Sequence, residues 1–155
     1  MIVRNFHKTD TKTLIELFRE TVHRVCCVDY SVEQLKAWAP DFIDDSVWES
    51  RLEKSYALVA EENGLILGFA NLENDGNIDM FYVSAESQGK GVGKVLLKHL
   101  ENHAKDLKLD KLTSDVSLTA RKFFQHSGFL TEKEYIKVRN DVEFKNTLMS
   151  KKLSY

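Results

Sequence analysis

The segment Gln88-Gly89-Lys90-Gly91-Val92-Gly93-Lys94 limits what this chain can fold into more than any other. It follows Ile78 to Val83, which reads as a strand. It leads into Val92, Leu96, Leu100 and Leu107, an apolar stripe at helical spacing that runs through Lys108. A strand that turns through glycines into a helix exposes consecutive backbone N–H groups at the helix's positive end, which suits a phosphate or pyrophosphate. Gly91 and Gly93 let the backbone approach such a group closely. Lys90 and Lys94 either add positive charge there or are solvated residues at a helix end. Two familiar phosphate loops do not fit. A Walker loop needs glycine and a Ser or Thr where this chain has Gln88 and Val95, so the Mg²⁺-binding hydroxyl is missing. The dinucleotide fingerprint fails because Gly89, Gly91 and Gly93 alternate and the preceding strand belongs to a hairpin instead of opening a βαβ unit.

The flanking sequence predicts a single α/β domain over residues 1–155. Ile2 to Phe6 reads as a strand, and Thr9 or Asp10 can cap a helix carrying Leu14, Ile15, Phe18 and Val22. Ser31 to Gln34 and Ser46 to Glu49 both match the capping box, predicting two short helices around Pro40. Asn63-Gly64 joins two apolar runs as a hairpin, and Asp75-Gly76 signals a second turn, so three consecutive antiparallel strands are expected. Lys111 to Val116 reads as a strand and Leu118 to Gln125 as a helix stopped by Gly128. Leu130 to Arg139 and Val142 to Lys151 are two final β segments, either of which could supply a dimer edge.

Composition narrows the function classes. The formal net charge of −2, from 22 basic and 24 acidic residues, provides no overall field toward nucleic acid or an anionic membrane. No apolar run approaches the roughly 20 residues of a membrane span, and no signal-peptide pattern opens the chain, so a cytoplasmic protein is expected. Cys26 and Cys27 are neighbours, a poor geometry for a mutual disulfide, and lack metal or redox spacing. His99 and His103 are spaced for a metal, but no glutamate follows His99 as a zincin helix requires, and a polar helix face explains them better. No metal is expected.

Gln88, Gly91 and Gly93 match the Gln/Arg-x-x-Gly-x-Gly/Ala signature of the GNAT superfamily of N-acetyltransferases. The hairpin, the Tyr82-Val83 strand end and Ala120-x-x-Phe123-Phe124-x-x-x-Gly128-Phe129 also resemble successive GNAT elements, so the likeness spans nearly the whole chain. Asp29-Tyr30-Ser31, Ala37-Trp38-Ala39-Pro40 and Phe81-Tyr82-Val83 look like those of a poorly characterised bacterial branch. The resemblance implies a central, mostly antiparallel mixed β-sheet of about six to seven strands flanked by helices, with acetyl-coenzyme A as cosubstrate and an amine as acceptor. It implies that the amides around Gln88, Gly89, Lys90, Gly91, Val92, Gly93 and Lys94 hold the pyrophosphate. Backbone groups of Phe81 and Val83 would pair with the pantetheine, and the Val83 amide would donate to the thioester oxygen.

Two positions depart from the family pattern. Ser117 stands where asparagine is common, and Phe124 stands where a tyrosine commonly protonates the departing thiolate. Ser117 could still bind the pantetheine arm, whereas Phe124 cannot donate a proton. Asp79 has the strand parity of Phe81 and Val83, so it could face the cleft and act as base directly or through water, with Tyr82 and His126 in reserve. Tyr30, Trp38 and Trp48 fall in the region that forms the acceptor wall in the superfamily, where they either shape an aromatic pocket or anchor short helices. Neither cysteine is placed for an acyl-enzyme, so direct transfer in a ternary complex is expected, with a small molecule as the favoured acceptor. The alternatives are acetylation of a protein lysine or N-terminus, and a catalytically silent acyl-coenzyme A sensor. Monomer and homodimer both stay open.

Overall fold

The computed structural model describes residues 1–155. Its centre is a seven-stranded mixed sheet of β1 (Ile2–Asn5), β2 (Tyr56–Glu62), β3 (Leu65–Leu72), β4 (Asn77–Val83), β5 (Lys111–Val116), β6 (Leu130–Arg139) and β7 (Val142–Lys152). They lie in the order β1-β2-β3-β4-β5-β7-β6. All neighbours are antiparallel except β4 and β5. That parallel pair needs a crossover, supplied by α4 (Val92–Asp106). The remaining helices are α1 (Thr11–Arg24), α2 (Val32–Trp38), α3 (Asp45–Glu53) and α5 (Arg121–His126).

Alternation along the strands divides the buried side chains between two faces. Leu14, Phe18 and Val22 of α1 pack with Trp48, Phe69, Met80 and Phe144 on one face. Leu96 and Leu100 of α4 pack with Ala70, Ile78, Leu112 and Phe129 on the other. The Asn63-Gly64 turn takes positive φ at both residues (52° and 80°), the two-residue hairpin geometry its sequence predicts. Of the two final strands only β6 is an edge; β7 lies between β5 and β6.

Two helix starts differ from expectation. α3 is capped by Asp44, whose carboxylate accepts from the Ser46 amide at 2.9 Å, so Ser46 sits inside the helix rather than capping it. Asp10 makes no side-chain cap to α1. It instead accepts from the His7 amide at 2.9 Å and takes a two-pronged hydrogen bond from Arg4 at 2.8 and 2.9 Å, tying β1 to the helix entrance. The Arg4 guanidinium holds the Asp10 carboxyl below its ordinary pKa, against an opposing effect of burial. A depressed carboxylate contributes stability above its unfolded pKa and loses it as pH falls through the folded value. Asp10→Asn should therefore cost about 1 kcal/mol at neutral pH, solvent screening of Arg4 keeping it small. Denaturant titrations should show the gap to wild type closing below about pH 4.

Candidate active site

β4 and β5 are hydrogen-bonded at their start only. Their register is Asn77 with Thr113 and Ile78 with Ser114, and beyond it the strands part. Ser84 N–H donates to Leu67 O on β3 at 2.8 Å, so by strand alternation the Phe81 and Val83 amides point away from β3, into the gap. The Val83 carbonyl is already engaged, accepting from Thr21 Oγ1 at 3.0 Å and Gln88 Nε2 at 2.8 Å. Gln88 thus clamps the glycine turn onto the strand, a role its sequence position did not reveal.

Above the gap, Gly91 caps α4 with φ of 85°, a left-handed conformation that strains other residues. No side chain caps this end. The first intrahelical bond there is Val95 N–H to Gly91 O, which leaves the Val92, Gly93 and Lys94 amides free of helix partners. Gly93 is required for a different reason: a Cβ there would lie 3.1 Å from the Phe123 ring and 3.5 Å from that of Phe81. Gly93 thus also lets α4 pack closely on these rings.

Turn and gap open into one cleft of about 350 Å³. Phe81, Val83, Gln88, Gly89, Gly91, Val92, Gly93, Lys94, Ser117 and Phe124 all line it; Lys90 is exposed and does not. A family model for the acetyltransferase (GNAT) domain matches residues 26–153, most of the chain. The chain belongs to the GNAT acetyltransferases. Within the family it is 36% identical over 133 residues to the uncharacterized N-acetyltransferase YafP of Escherichia coli K12, covering 85% of this chain and 83% of that protein. It is also similar to the GCN5-related N-acetyltransferase of Rhodopseudomonas palustris, with a TM-score of 0.94 and 31% identity over 98% and 95% of the two chains. The PaiA N-acetyltransferase of Thermoplasma acidophilum, solved with coenzyme A, shares the fold at a TM-score of 0.80 and 21% identity over 97% and 98%.

One candidate of this GNAT acetyltransferase, Asp79, lies elsewhere than its sequence position implies, and the others make contacts the sequence did not specify. The β3–β4 register shifts beside Asn71, whose Oδ1 accepts from the Met80 amide at 2.8 Å, and Asp79 is the bulged residue. The bulge breaks strand parity. Asp79 leaves the side of Phe81 and Val83 and binds Arg51 of α3, with oxygens 2.8 and 3.3 Å from the guanidinium. Phe124 is 2% exposed within a cluster of Phe81, Phe123 and Phe129, its ring serving as wall. Ser117 Oγ accepts from the Ala120 amide at 3.2 Å, ordering the entry to α5. Tyr30 is 7% exposed, and its hydroxyl accepts from the Leu118 amide at 2.7 Å, so it serves structure as well as wall. His103 stacks on Tyr56 at 3.7 Å, and His99 Nδ1 meets the Val95 carbonyl at 2.9 Å.

Four residues missed from sequence also face the site. Cys26 lines the cleft, and burial pushes its thiol up to about 11. It is thus protonated at neutral pH and a poor acyl acceptor. Behind the gap, on the α1 and α3 side, lies a second cavity of about 590 Å³ bounded by Trp38, Pro40, Ile43, Trp48 and Tyr82. Asp115, Lys137 and Arg139 reach it from β5 and β6. Burial pushes the Asp115 carboxyl up, but hydrogen bonds from Lys137 (2.7 Å), Tyr135 and Asn146 outweigh it and leave the group below its ordinary value. Tyr82 borders both the cleft and this cavity, and burial pushes its phenol up to about 12, so it carries its proton at neutral pH.

Proposed function

We propose that this chain transfers the acetyl group of acetyl-coenzyme A directly to the amine of a small molecule, in a ternary complex. The parting of β4 from β5 beneath an uncapped helix start carries this reading. The free Val92, Gly93 and Lys94 amides sit at the positive end of α4, where a pyrophosphate gains most. The Phe81 and Val83 amides extend from there toward the place where the strands part, in line for a pantetheine arm. The Val83 N–H then faces the thioester oxygen and stabilises the charge that develops on attack.

The amine enters from the opposite cavity. Its aromatic and apolar walls, Trp38, Pro40, Ile43 and Trp48, suit a small acceptor with an apolar part. Asp79 and Asp115, each paired with a cation, still offer carboxylate oxygens there to an incoming ammonium. The ammonium first loses one proton to solvent water; the neutral amine then attacks, and the Tyr82 hydroxyl gives a proton to the sulfur as the C–S bond breaks and takes one from the nitrogen as the C–N bond forms. A protonated Tyr82 is needed for the first half of that relay, and a phenol holds its proton at neutral pH. Tyr82→Phe should lower kcat about 10- to 100-fold while leaving the affinity for acetyl-coenzyme A within about threefold, read by steady-state kinetics and calorimetry.

The buried Phe124 favours a second reading, an acyl-coenzyme A sensor without turnover, since the position lacks a phenol. Thiol release from acetyl-coenzyme A, followed across a panel of small amines and lysine peptides, separates the readings. Amine-dependent release supports transfer; binding with no member of the panel accelerating release supports the sensor.

A further inference from the structure

The acceptor cavity contains more positive than negative charge. Arg51 is paired with Asp79 at 2.8 Å and Lys137 with Asp115 at 2.7 Å, whereas Arg139 meets no carboxylate. Its guanidinium rests over the rings of Trp38 and Phe144, 5.8 and 5.9 Å from their centroids. The Nε1–H of Trp38 is buried and has no hydrogen-bond partner; the Tyr82 hydroxyl is a polar group near it. A buried indole N–H without a partner is costly and uncommon in a native fold. Arg139 and Trp38 thus line the same cavity, each with a donor that meets no acceptor.

Their placement is held from outside. Asn140, next to Arg139 in the β6–β7 turn, donates to Ala37 O at 2.8 Å, and Gln34 of α2 donates to Glu143 O at 3.0 Å. These bonds fasten the β6–β7 hairpin to the helix that carries Trp38. Arg139 is therefore positioned before any ligand arrives.

We infer that the acceptor carries a carboxylate, received by the Arg139 guanidinium and the Trp38 indole N–H, and that the enzyme acts on small amino acids with an apolar side chain. An anion is the ligand that satisfies both donors and balances the surplus cation. The ammonium of such a molecule finds Asp79 and Asp115 across the same cavity, and the aromatic walls receive the side chain. This inference rests on the proposed transfer reaction for its biological meaning, but its test does not need turnover.

The probes are N-acetyl-L-phenylalanine and its carboxamide, titrated into the protein with coenzyme A present and read by calorimetry and tryptophan fluorescence. The acid should bind about tenfold more tightly than the amide, the usual advantage of a charge-assisted pair. In Arg139→Gln the two affinities should come within about twofold of each other, and Trp38→Phe should narrow the preference partway. Equal binding of acid and amide by the wild type, a preference that survives Arg139→Gln, or no binding of either at millimolar concentration would each overturn the inference. A separate titration of acetyl-coenzyme A into wild type and Arg139→Gln shows whether the cofactor reading fails on its own.

Discussion

Gly91→Asp should lower the affinity for acetyl-coenzyme A about 100-fold, a loss of about 2.7 kcal/mol, in a protein that still folds. No atom lies within 4 Å of where a Cβ at Gly91 would be, so the added side chain meets open space. The φ of 85° is costly for most residues but less so for aspartate, whose short polar side chain tolerates left-handed backbone. The new carboxylate would sit at the helix end whose free amides are proposed to hold the pyrophosphate, replacing attraction with repulsion. Gly91→Ala carries the backbone cost without the charge and should lose only about threefold. Equal losses in the two variants would assign the effect to backbone strain. No loss in either would move the diphosphate away from the turn.

Gly68→Val should destabilise the fold by about 3 kcal/mol and weaken cofactor binding as a consequence. A Cβ on Gly68 would lie 2.9 Å from the Tyr82 carbonyl oxygen, 3.2 Å from Val92 and 3.3 Å from Leu96. The first contact is with backbone, which cannot swing aside, so β3 and β4 must separate or α4 must lift. Lifting α4 moves the helix start off the gap where Phe81 and Val83 present their amides. Denaturant titration should give the stability loss, and the binding defect should exceed that of an equally destabilising change far from α4, such as Leu17→Ala on α1.

The fold could be read from sequence where local pattern and chemistry agree. The Asn63-Gly64 hairpin, the α1 stripe of Leu14, Phe18 and Val22, and the glycine turn into α4 all depend on neighbours within a few residues. Asp79 shows where that ends. Its parity follows from period-two alternation, but the bulge is completed by Asn71 on another strand, and no local signal marks it. At α3, Asp44 and Ser46 both suit an N-cap, and sequence cannot rank two good caps placed two residues apart. Gly68 looks like an ordinary strand glycine until α4 is laid across it.

The site divides in the same way. The proposed cofactor side comes from one stretch, Phe81 to Lys94, which the sequence marks by its glycine turn and the family signature. The proposed acceptor side is assembled by sheet order, which brings Asp115 of β5 and Lys137 and Arg139 of β6 around Trp38 of α2. Nothing in their spacing announces a common cavity. A prompt was nonetheless present in Trp38, singled out from sequence as a wall residue; its unpaired indole N–H is what draws attention to Arg139 beside it.

The most direct test of this account is a titration of ¹⁵N-labelled protein with acetyl-coenzyme A, following the backbone amide resonances. Saturable shifts at Phe81, Val83 and Gly91 to Lys94, with little change at the β6–β7 turn, are expected if the cofactor lies along the gap between β4 and β5. Shifts that spare Phe81 and Val83, or no saturable change at all, would contradict the proposed cofactor path and the transfer mechanism built on it.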